Sequence, residues 1–199
     1  MLASEEIQQS LSGAWRLMLG KPDGLRLLDL SADGFWNSFF AILVAAPALI
    51  VGWVGLANDF AVQSAEFNDR LNTVVSLALV DISAWIVPLV VFALVARRAG
   101  VGDRFVHYVV ASNWTSAIIA WLMLPAALLH MLLPDDSQGF GSLLSLALFG
   151  LSMALTWRMT NAAIGKGAAI GSAVFASLFV VSLIALLAMK SLLGISVPN

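Results

Sequence analysis

The stretch "SLALVDISAWIVPLVVF", residues 76–92, holds one carboxylate, Asp81, in an otherwise uncharged run, with Pro88 following about two helical turns later. Extended to its flanking charges, the run reaches from Arg70 to Arg97, and Asp81 is the only charge inside it. Four other intervals have the same character: Asp33 to Asp59, Arg104 to Asp135, Asp136 to Arg158 and Lys166 to Lys190. Each leaves room for the roughly 20 apolar residues that cross about 30 Å of hydrocarbon as a helix. Helices satisfy their own backbone groups in lipid, whereas unpaired strands do not. The expected fold is an all-α, polytopic membrane helical bundle of five transmembrane helices preceded by an amphipathic helix.

Composition agrees. The chain of 199 residues is 60% hydrophobic and 11% charged, with a mean hydropathy of +0.93, where a soluble domain carries roughly 25% charged residues. A net charge of -2 without a basic run leaves nucleic-acid binding no electrostatic footprint. No cysteine is present, so disulfides and thiolate chemistry are excluded. The first 35 residues are not expected to be a cleaved signal peptide, because Glu5 and Glu6 occupy what should be a basic region.

With alternating spans, Arg16, Lys21, Arg26, Arg97, Arg98, Arg104, Arg158 and Lys166 fall on one side, and only Arg70 and Lys190 on the other. This eight-to-two split predicts a cytoplasmic N-terminus and an external C-terminus in the cell inner (plasma) membrane. The opposite loops carry Asp59, Glu66 and Asp69, then Asp135 and Asp136. Two units follow: a cytoplasmic amphipathic segment, 1–34, and a five-span domain, 35–199. In the first, Ile7, Leu11, Trp15 and Leu17 or Met18 share a helical face opposite Glu6, Gln9 and Arg16. That helix either lies in the headgroup layer or covers the cytoplasmic ends of the bundle. "GKPDG" ends it, and Ser31 is placed to cap the entry into span one.

Pro47, Pro88 and Pro125 fall inside the first three spans, each removing a backbone hydrogen bond and bending its helix. Gly167 and Gly171, with Ser172 beside them, form a small-residue row at the start of span five, the kind of surface that lets helices approach closely in lipid. Asp81 should face the bundle and hold a partner, since a carboxylate at mid-span costs roughly 2.5–3.5 kcal/mol. Mirroring spans two and three about their loop makes Thr115 and Ser116 its nearest donors, with Asn113 further toward the cytoplasmic side and no Lys or Arg at that depth.

Catalytic signatures are absent. Aspartyl intramembrane proteolysis needs two facing carboxylates, "IGSAV" around Ser172 is not a serine-nucleophile motif, and no P-loop is present. His107 and His130 sit near opposite ends of span three and cannot share a metal. No enzyme, cofactor or metal site is expected.

"RRAGVGDRFVHYVVASNWTSAIIAWLMLPAALL", residues 97–129, resembles the central part of bacterial Yip1-like domains, where a Gly-containing loop precedes a helix that opens with an aromatic and small residues. "TWRMTNAAIGKGAAIGSAVFASLF", residues 156–179, is similar to that family's closing section. Asn113 and Trp114 stand where the family more often has a Pro. The resemblance implies a non-enzymatic scaffold or membrane-organising protein in the lipid bilayer, with a homo-oligomer or other membrane proteins as partners. The alternative is a small transporter or channel component using Asp81 as a proton or cation site.

Overall fold

A computed structural model describes residues 3–60, 67–132 and 138–194. The loop acids Glu66, Asp135 and Asp136 lie outside the described residues. Seven α-helices are described: α1 (Ser4–Met18), α2 (Ala32–Asn37), α3 (Ala41–Phe60), α4 (Phe67–Val95), α5 (Phe105–Leu132), α6 (Gln138–Ile164) and α7 (Ala168–Leu192). A 3₁₀ turn, Ser38–Phe40, joins α2 to α3, so Ala32–Asn58 forms one apolar span, and α4 to α7 form the other four. The fold is an all-α bundle with five helices long and apolar enough to cross a membrane.

The packing closes a ring. α3 lies against α5 and α4, α5 against α6, α6 against α7, and α7 back against α4. Across the middle, α4 and α5 barely touch. Outward faces carry large apolar side chains such as Leu43, Leu94, Leu143, Leu146 and Ile184, all exposed. In water they would be a liability, but facing acyl chains they are the expected lining of a bundle in a bilayer.

α1 covers one end of the ring, packed on α5 and α6. Its inward residues, Ala14, Leu17 and Met18, are fully buried and belong to the same core as Val109, Met159 and Ile164 of the bundle. α1 and the spans thus contribute to one hydrophobic core. Ile7 and Leu11 pack against that core, whereas Trp15 is 44% exposed at the edge of the face. The following 3₁₀ turn, Pro22–Leu27, folds back onto α1. The approach is so close that a Cβ on Gly24 would lie 2.4 Å from the Gly13 carbonyl oxygen. Arg16 pairs with Asp23 across this turn, and that hydrogen bond holds the Asp23 carboxyl below the usual carboxylate range. Ser31 caps α2, its Oγ accepting from the Gly34 N–H at 3.1 Å.

The loops at this end are tied together. Lys166 donates to Gly100 O and to Asp103 Oδ1, both at 2.6 Å, and Arg158 donates to Leu19 O, past the end of α1, at 2.9 Å. The N-terminal segment, the α4–α5 loop and the α6–α7 loop thus meet at one end of the bundle.

Candidate functional site

Because α4 and α5 stand apart, the ring encloses space. A cavity of about 500 Å³ is bounded by α3, α4, α5 and Thr156 of α6. Asp81 and Trp85, one turn apart on α4, share a helix face and both line it, together with Trp53 of α3 and Ser112, Thr115 and Ser116 of α5. Leu49, Ile119, Met123 and Leu124 supply much of the apolar remainder. A second cavity of about 170 Å³ shares Trp85, Ser112, Ser116 and Thr156 with the first and extends toward α7. Asp81 is exposed, as are Leu56 and Ile82 beside it, so the larger cavity reaches the surface of the bundle near the middle of α4.

The sequence expectation that Thr115 or Ser116 donates to Asp81 is corrected. Both residues line the same cavity, but the donor is the Trp53 indole, whose Nε1–H reaches Asp81 Oδ2 at 2.7 Å. The Thr115 hydroxyl is buried and has no hydrogen-bond partner among the described residues. Asn113, itself fully buried, belongs to a different hydrogen-bond network: its Nδ2 donates to buried Ser38 Oγ at 2.8 Å, and its Oδ1 accepts from Trp85 Nε1 at 3.0 Å. Ser38 Oγ in turn donates to Phe35 O at 2.7 Å. This network ties α5 to α4 and to the start of span one, and it fixes the Trp85 indole at the cavity wall.

Tryptophan was the missed signal. Trp121 Nε1 donates to Val44 O at 2.8 Å, one turn before Pro47, and Trp157 Nε1 donates to Ser172 Oγ at 2.8 Å. With Trp53 and Trp85, four indoles join neighbouring helices. An indole combines a large apolar body with one donor that seeks a partner when buried. Seven tryptophans in a chain of this length could have been read as such candidates.

The small-residue row divides. Gly171 is buried against α6, where a Cβ would lie 2.3 Å from Asn161 Oδ1 and 2.9 Å from its Cα. Ser172 meets Trp157 on the same helix. Gly167 instead precedes α7 as its N-cap at φ +93°, a left-handed conformation that suits glycine, with nothing packed against its Cβ position. The row is therefore a contact within the chain at Gly171 and Ser172 and a turn at Gly167.

Compared with known proteins, the chain matches no family model, no curated protein and no solved structure.

Proposed function

We propose that the chain is a non-enzymatic, multi-pass membrane protein in which Asp81 serves as the proton or cation site of a small transporter or channel component. One observation carries this reading: an intramembrane carboxylate lines a cavity that reaches the surface of the bundle, instead of being packed away. Ionisable groups inside membranes are costly to keep and typically mark solute or proton paths. The competing reading, a Yip1-like scaffold that assembles through small-residue faces, draws support from the docked N-terminal helix and the five spans. It is disfavoured because Gly171 and Ser172 are already occupied by α6. The proposed setting is the plasma membrane with the α1 end in the cytoplasm, from the basic residues gathered there.

The chain has no cysteine, so a single Ser116→Cys reports on the cavity without background. A cationic methanethiosulfonate should label that thiol faster than an anionic one of similar size, and adding Asp81→Asn should remove the difference. Asn keeps an acceptor for the Trp53 indole, so equal elution of both variants on gel filtration checks the fold. No labelling by either reagent, or a charge preference that survives Asp81→Asn, overturns the reading.

A further inference from the structure

We infer that the Asp81 cavity binds an amphiphilic organic cation, an ammonium group carrying an apolar body. This rests on the reading of Asp81 as a cation site and adds the class of cation. The charge requirement comes from the lining, in which Asp81 is the only charged side chain among the described residues, with no Lys or Arg among them. Lys190, near the end of α7, is not among those lining residues. Trp53 and Trp85 line the cavity together with the carboxylate, and indole faces attract cations lying within about 6 Å of the ring. Both indoles are already held, Trp53 by Asp81 and Trp85 by buried Asn113, so little ordering is left to occur on binding.

The rest of the wall argues against a bare metal ion. A hard cation such as calcium takes about six to eight oxygen ligands. Beyond Asp81 the side-chain oxygens here are neutral hydroxyls, and that of Thr115 is buried. Among the described residues no group of three His, Asp or Glu is placed to hold a metal. Most of the lining is hydrocarbon, and a volume of about 500 Å³ lies within the range of organic-ligand sites. A phospholipid headgroup offers the same ammonium, but it brings a phosphate that this lining has no cation to pair. A simple amphiphilic amine meets the chemistry without that cost.

The test uses the full chain in an uncharged maltoside detergent, with octyltrimethylammonium below its micellar concentration as the probe. It should protect Ser116→Cys from a neutral maleimide and bind saturably by calorimetry, while tetramethylammonium and octanol bind at least about tenfold more weakly. Asp81→Asn should weaken the octyl cation by about the same factor. Lyso-phosphatidylcholine, which carries the same headgroup cation with a phosphate, should not compete. Equal binding of tetramethylammonium and the octyl cation, equal binding to Asp81→Asn, or stronger competition by the lysolipid would each overturn the inference. The charge-selective labelling of Ser116→Cys is measured separately, so if that preference persists while the octyl cation gives no protection, the ligand class falls and the cation site stands.

Discussion

Thr115 and Asn113 sit within one turn of each other on α5 and are treated in opposite ways. Asn113 is buried with both ends of its amide engaged, whereas the buried Thr115 hydroxyl has no partner among the described residues. A buried polar group without a partner costs about 1–3 kcal/mol, and removing it in favour of an apolar group of the same shape recovers much of that cost. Thr115→Val is therefore expected to raise stability by about 1 kcal/mol, read as a higher midpoint in a detergent unfolding titration. A loss of similar size would mean that the hydroxyl is paired after all. The position of Asp81 inside a span was legible from its neighbours in the sequence, but its donor was not. The depth count that pointed to Thr115 and Ser116 assumes that consecutive helices pack side by side. Here α4 and α5 face each other across a cavity, and the indole that reaches Asp81 comes from α3.

At the scale of a helix, Pro88 shows how a break inside a span is tolerated. Lacking an N–H, it cannot donate to the carbonyl of Ala84 four residues earlier, and in lipid no water can take its place. Ser182 of α7 supplies the donor, its Oγ reaching Ala84 O at 3.0 Å. The proline and the serine, almost a hundred residues apart in sequence, thus act as one unit. Ser182→Ala alone should cost about 1–3 kcal/mol by stranding that carbonyl. In a Pro88→Ala background, where residue 88 regains an N–H, the same change should cost clearly less. A double-mutant cycle measures this coupling, and equal costs in both backgrounds would mean that Ser182 does not stand in for the missing bond. The helices themselves were legible, because spacing between charges and hydropathy set where a span can lie. The partner of a broken backbone bond was not, because it depends on which helix lies alongside.

For the whole molecule, the five spans and the amphipathic lead were readable from charge spacing and periodicity. The closed ring and its interior space were not, since apolar faces in lipid carry little information about which neighbour each helix takes. What the ring adds is a physical link among the basic residues. Arg16, Lys21 and Arg26 of the N-terminal segment, Arg97, Arg98 and Arg104 beside the α4–α5 loop, and Arg158 and Lys166 beside the α6–α7 loop belong to segments that meet at one end, joined by the Lys166–Asp103 pair and the Arg158–Leu19 bond. Two of these basic side chains thus hold the segments at this end together. Because basic residues are retained on the cytoplasmic side, this end should face the cytoplasm and the end of α7 the exterior. In a cysteine-free background, which the chain already provides, Arg98→Cys should react with a membrane-impermeant maleimide only after the cells are permeabilised. A reporter that is active only when exported, fused after Asn199, should be active. Three spans, α5 to α7, separate the two positions, so finding both on the same side would require one of those three helices to lie outside the bilayer. Finding both inverted would keep the five spans and show that the basic cluster serves the packing of the loops alone.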